Sequence, residues 1–174
     1  MRALAILLLA PAAAAQSLLV VTPDSFAPAT AEWRAYREGQ GHAVAVRGPG
    51  DDVGATVKAA HAASGGALRF ILLLGDTGQV PCAWFDAEII QRYEDDPRAS
   101  TDNPYADLDG DSLPDVAIGR LPARTPQEAR ELLARAVAYE KDADFGTWRR
   151  RMSVVAGVGG FGEREDKALE TTTR

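Results

Sequence analysis

Apolar and polar residues alternate along this chain in blocks with two different periods. Ser17–Thr22 (SLLVVT), His42–Val46 (HAVAV), Arg69–Leu74 (RFILLL), Asp115–Ile118 and Met152–Val158 are short, nearly continuous apolar runs. Most are bounded by Gly, Pro or Asp, and that pattern predicts buried strands. Helical spacing fills the gaps between them. Thr30–Gly39 sets Trp33 and Tyr36 three residues apart, with Arg34, Arg37 and Glu38 off that side. Asp51–Ser64 opens on two aspartates and closes on Gly65-Gly66, the expected start and stop of a helix. Thr125, with Pro126 next and Glu128 three residues on, forms a capping-box signature. It predicts a helix to about Lys141 that buries Leu132, Leu133, Ala136 and Tyr139. Glu163–Glu170 begins another helix. Gln79–Ala99 shows no clear period beyond a short helix over Glu88–Tyr93. Continuous apolar strands separated by helices predict an α/β domain: a mainly parallel sheet flanked by helices on both faces.

One stretch departs from both periods. Ser100–Pro122 carries five acids, Asp102, Asp107, Asp109, Asp111 and Asp115, directly ahead of an apolar run. From Asp107 onward they fall at i, i+2, i+4 and i+8. A tight loop with that spacing turns Asp107, Asp109, Asp111, Asp115 and the Leu113 carbonyl toward one point, as an oxygen cage for calcium requires. The alternative is an acidic loop that is simply solvated. The pattern is not an EF-hand. Its sixth position is Ser112 instead of glycine and its twelfth is Ile118 instead of glutamate, so the residues for the sharp turn and the bidentate ligand are both missing. It also resembles the calcium loop of integrin-type propeller repeats, but it occurs once, and a propeller needs recurrence at a fixed period.

The chain has 174 residues and is 46% hydrophobic, enough for one domain with a substantial core. Arg2, the apolar run Leu4–Ala10 and Ala13-Ala14-Ala15 before Gln16 read as a signal peptide over residues 1–15, and hence as an exported protein, secreted, periplasmic or on the cell surface. The run is too short to span a bilayer. Loss of Arg2 with the leader leaves 18 basic against 25 acidic side chains, a net of −7. Asp76–Asp115 alone holds eleven acids against Arg92 and Arg98, a net of −9. That imbalance excludes a nucleic-acid footprint and favours cations or a basic partner. The single cysteine, Cys82, rules out an internal disulfide. Its neighbours Pro81, Ala83, Trp84 and Phe85 suggest an inert, partly buried thiol. His42 heads a strand and His61 lies in a helix, neither beside a nucleophile. Asp76 follows the third strand, at the edge where α/β sheets gather functional groups, or it caps the turn there.

Read in order, Leu72-Leu-Leu-Gly-Asp76 with Val80-Pro81, then DNPYADLDGDSLPDVAIGRLP, then a helix closing in Ala138-Tyr-Glu-Lys141, resembles the gingipain family of secreted cysteine peptidases. The resemblance implies a caspase-like architecture, protein or peptide substrates, and thiolate attack on a peptide carbonyl with histidine as acid and base. In that family the histidine lies in a later Gly-His-Gly segment and the nucleophilic cysteine one strand beyond it. This chain contains neither, so it carries no catalytic residue and Cys82 does not match the nucleophile. Residues 16–174 then correspond to the N-terminal part of the catalytic domain, apparently truncated inside a helix, and their natural partner is the downstream half. The family also carries structural calcium near the loop matching Asp107–Asp115. Some members place an acid at the base of the pocket for a basic side chain, and Asp166 fits that spacing best. The other reading of Glu163, Glu165 and Asp166 is that they favour a helix N-terminus. The rival to the peptidase reading is a non-catalytic, calcium-stabilised α/β module of a cell-envelope or adhesin protein.

Overall fold

The computed structural model describes residues 16–86, 98–142 and 146–153, with residues 162, 164, 167, 168 and 171 beyond them. Two compact units divide the chain at Glu140 and Lys141. The first is built on four parallel strands, β1 (Gln16–Val21), β2 (Ala43–Arg47), β3 (Phe70–Leu74) and β6 (Ala117–Leu121), in the order β2-β1-β3-β6. Leu19 pairs with Ala45 on one side and Ile71 on the other, and Leu72 pairs with Gly119. The chain leaves β1 in one direction for β2 and returns across it to β3. The carboxyl ends of β1 and β3 therefore flank a topological switch point.

Alternation along β1 explains why its run is continuously apolar. Leu19 and Val21 pack with Val53, Val57 and Ala60 of helix α2 (Val53–Ala63). Leu18 and Val20 pack with Trp33 of α1 (Ala31–Gly39) and with Ala129 and Leu133 of α3 (Pro126–Lys141). A strand buried on both faces has no polar side to offer. Asp52 caps α2 by accepting from the Ala55 N–H at 3.1 Å. Across the first unit, the Arg37 guanidinium stacks on Trp33 and Tyr36 and forms a two-pronged ion pair with Glu140 at the end of α3.

Several expectations needed correction. Helix α1 starts at Ala31, because Thr30 closes a short 3-10 turn over Ala27–Thr30. In α3 the Thr125 hydroxyl accepts from the Glu128 N–H at 3.2 Å as expected. The Glu128 carboxylate, however, accepts from the Arg124 N–H at 2.7 Å, one residue before the cap. The buried stripe of α3 is Ala129, Leu133 and partly Val137. Tyr139 sits about 200° round the helix from Val137 and is 56% exposed. Leu132 and Ala136 are half-buried. The fourth parallel strand runs Ala117–Leu121 instead of Asp115–Ile118, because Asp115 is engaged in closing the acidic loop.

An antiparallel ribbon of β4 (Ala83–Asp86) and β5 (Arg98–Thr101) was not anticipated. Its four-residue strands, AWFD and RAST, have no period to read. In the second unit, Thr147–Arg150 forms a 3-10 turn, and Arg164, Lys167, Ala168 and Thr171 are helical. Of the fifth strand expected over Met152–Val158, Met152 and Ser153 are irregular. Its other residues, the helix expected over Glu88–Tyr93, and Asp166 lie outside the described residues.

Candidate functional site

The carboxyl edge of β3 is where the polar residues converge. Gly75 ends the strand at φ +148°, and a Cβ there would lie 3.0 Å from both Gln79 and Val80, so only glycine lets the turn close so tightly. Asp76 then organises the turn. Its carbonyl accepts from the Gln79 and Val80 N–H groups at 2.9 Å. Its carboxylate accepts from the Thr77 N–H at 2.8 Å and from Arg124 Nε at 2.9 Å. The Arg124 hydrogen bond, and after it the Thr77 N–H, hold the Asp76 carboxyl below the ordinary aspartate value. Geometry thus makes Asp76 a turn cap.

Arg120 is the centre of the site. Its side chain leaves β6 only 14% exposed. Nε and Nη2 donate to the two Asp102 oxygens at 2.8 and 2.7 Å. Nη1 donates to the Gly75 and Val80 carbonyls at 2.9 and 2.7 Å, and Nη2 reaches Pro81 O at 3.4 Å. A planar fork satisfies a carboxylate and a turn of carbonyls together in a way a lysine cannot. The Asp102 hydrogen bond raises the guanidinium above the ordinary arginine value against the opposing effect of burial. Tyr105 completes the junction, its hydroxyl donating to Pro81 O at 3.0 Å. Burial first, then the neighbouring Cys82 and Asp102, push its phenol up.

Beyond Tyr105 the acidic loop folds on its own carboxylates. Asp107 accepts from the Gly110 and Ser112 N–H groups at 2.7 and 3.0 Å. Asp109 accepts from Asp111 N–H at 3.1 Å and Asp111 from Leu113 N–H at 2.8 Å. Asp115 accepts from Leu108 N–H at 2.7 Å, while its own N–H donates to Ala106 O at 2.9 Å. Ser112 lies at φ +72° and Gly110 at φ +88°. The sharp turn is therefore made although Ser112 stands at the position of the EF-hand glycine.

Asp107, Asp109 and Asp115 each offer an oxygen within 4.8 Å of the other two. Two oxygens on one calcium ion lie at most about 5.2 Å apart, so the three fit a shared ion. Asp111 is not in this group; like the other loop aspartates it accepts a backbone N–H, that of Leu113. The Leu113 side chain is 66% exposed.

The remaining candidates lie elsewhere. Cys82 is free and half-buried, as expected. Its surroundings are less apolar than its sequence neighbours imply, because Arg120 and Tyr105 lie within electrostatic range. His42 precedes β2, 3.3 Å from the Ser17 hydroxyl through Nδ1 and edge-on to Phe70. His61 lies in the last turn of α2. Among the described residues no hydrogen bond joins either histidine to Cys82. Sequence reasoning missed Arg120, Asp102 and Tyr105 as a unit. The available signal was an arginine inside an otherwise apolar strand, which requires a buried partner.

The match that decides the family covers almost the whole chain: the sequence model of peptidase family C25 fits residues 12–174. The chain belongs to family C25, the gingipain peptidases. Solved structures share the fold of this C25 chain. The Arg-specific cysteine proteinase gingipain R (RgpB) is 16% identical with a TM-score of 0.58, over 73% of this chain and 29% of its own. The complex of Porphyromonas gingivalis RgpB pro- and mature domains gives 17% identity and a TM-score of 0.58, over 71% and 29%. Dimeric latent PorU from the same organism gives 21% and 0.55, over 88% and 18%. The chain thus spans under a third of the length of these relatives. No curated protein matches it. The architecture is the caspase-like parallel sheet flanked by helices that the resemblance implied.

Proposed function

We propose that this chain is the N-terminal part of the catalytic domain of an exported gingipain-type cysteine endopeptidase, supplying its scaffold and a cation loop. The observation that carries the reading is the C25 match over residues 12–174 on a chain whose sheet has the same fold as gingipain R. It favours the peptidase over a cell-envelope or adhesin module. On this reading residues 1–15 are a signal peptide and residues 16–174 belong to the catalytic domain. The family match begins after the Leu4–Ala10 run, which supports a leader there. No helix among the described residues is long and apolar enough to cross a membrane.

The histidine and nucleophilic cysteine come from the downstream half of the same domain, and the substrate is a protein or peptide. Cys82 has a structural role. Calcium is held by Asp107, Asp109 and Asp115, where it neutralises carboxylates that otherwise repel one another, with Asp111 and the Leu113 carbonyl as further candidate donors. Asp166 is the candidate acid for a basic substrate side chain.

The test is peptidase activity on Arg- and Lys-containing peptides. The 174-residue chain alone is expected to cleave none of them. The same chain extended through a downstream segment encoding Gly-His-Gly and a strand ending in cysteine is expected to show thiol-inhibitable cleavage. Cleavage by the short chain that Cys82→Ala abolishes would overturn the reading and make Cys82 the nucleophile.

A further inference from the structure

The Arg120 fork reinforces a junction that the Tyr105–Pro81 hydrogen bond also spans. On one side it holds the Gly75 and Val80 carbonyls and reaches that of Pro81, and these fix the turn that leads into Cys82. On the other it grips both oxygens of Asp102. Asp102 starts the 3-10 turn Asn103–Tyr105, whose Tyr105 hydroxyl returns to Pro81 O. The next residue, Ala106, is fully buried and accepts the Asp115 N–H that closes the acidic loop. An unbroken series of hydrogen bonds and short backbone links thus runs from Asp115 to Pro81. We propose that Arg120 makes the acidic loop a control element for the carboxyl edge of β3, so that the conformation of the loop sets how far the Gly75–Pro81 turn opens around Cys82. This is the edge at which open α/β sheets take their ligands. Ordering or loosening the loop would therefore be felt where a partner or substrate would approach. The proposal needs no ion in the loop and does not rest on the calcium reading.

Cys82 is the only cysteine in the chain, so its alkylation rate reports the opening directly. The measurement is made on the full 174-residue chain with chelator present throughout. Asp102→Asn keeps the side-chain shape and removes the charge from the pair, and it is expected to raise the labelling rate about tenfold, the scale of one weakened charged hydrogen bond. Arg120→Gln is expected to raise it further if that variant folds. Asp115→Ala removes the carboxylate that holds the Leu108 and Asp109 N–H groups and so loosens the loop; it touches neither Arg120 nor Cys82, yet it should raise the rate as well. Combined with Asp102→Asn it should add less than the product of the two, since coupled sites are non-additive. Glu38→Gln breaks only the exposed Arg34 pair on α1 and should label at the wild-type rate. Hydrogen exchange separates local opening from general loss of stability: residues 75–86 should exchange faster while β1 keeps its protection. A wild-type labelling rate in Asp115→Ala alongside a raised rate in Asp102→Asn would overturn the coupling. A wild-type rate in Asp102→Asn, or equal acceleration in Glu38→Gln, would overturn the fork itself.

Discussion

Calcium should stabilise this chain through three carboxylates, and replacing one of them should remove most of that effect. The informative substitution is Asp107→Asn. Asparagine keeps an oxygen in place to accept from the Gly110 or Ser112 N–H but carries no charge. The other N–H loses its acceptor, so the variant should melt somewhat lower than wild type in chelator as well, and the calcium effect is read as the rise above that baseline. Binding to the native state alone stabilises it by mass action, about 2.7 kcal/mol when free calcium is about 100 times its dissociation constant. For a chain of this size each kcal/mol moves the melting temperature by about 2–4 °C, so wild type should melt about 5–11 °C higher in calcium than in chelator. Asp107→Asn removes one of the three converging oxygens and should lose most of that rise. Asp111→Asn should keep more than half of it, because Asp111 lies outside the converging group and serves to turn the backbone at Leu113. The assay is paired thermal melts in calcium and in chelator for each variant, scored on the difference and not on the absolute midpoint. Identical wild-type melts in the two conditions would refute a cation site. Equal losses in Asp107→Asn and Asp111→Asn would refute the division of labour in favour of the four-carboxylate cage read from the spacing.

Further outcomes follow from the packing and the ion pairs. The Arg37 hydrogen bond holds the Glu140 carboxyl below the ordinary glutamate value, so the pair stabilises fully above that value and the gain is lost as pH falls through the lower, folded one. Glu140→Gln should accordingly reduce the urea midpoint near neutral pH, by a margin that shrinks as pH falls below the ordinary glutamate value and through the lower, folded one. A constant difference across pH would show that the pair contributes through packing alone. Leu133→Ala should cost about 2–5 kcal/mol in denaturant melts, since Leu133 is 2% exposed between α3 and the sheet. Mass spectrometry of the exported protein should find Gln16 at its N-terminus, and an intact Met1 on exported, folded protein would remove the leader from the account.

How much of this was readable in the chain depends on where the information is local. The apolar runs at β1 and β3 were legible because a strand largely buried on both faces leaves little but apolar residues to write down, and the half-buried edge strand β2 was legible from its short run of Val and Ala. Helix α2 was legible from Asp52 and the glycines after it, because caps and stops are satisfied by residues a few positions away. The acidic loop was legible as a loop for the same reason, since its carboxylates bond N–H groups two to seven residues off.

What the sequence concealed were arrangements that depend on pairing across the chain. The β4–β5 ribbon exists only because Ala83–Asp86 finds Arg98–Thr101. Tyr139 reads as core from its helical spacing, yet the stripe along α3 that meets the sheet passes through Val137 instead. Arg120 shows the difference most clearly. In the sequence it is one charge in an apolar run. In the structure it joins Asp102 to Gly75, Val80 and Pro81, acceptors from two separate segments. A buried guanidinium is tolerable only when its donors are met together, and nothing but the folded arrangement of the chain brings those acceptors to it.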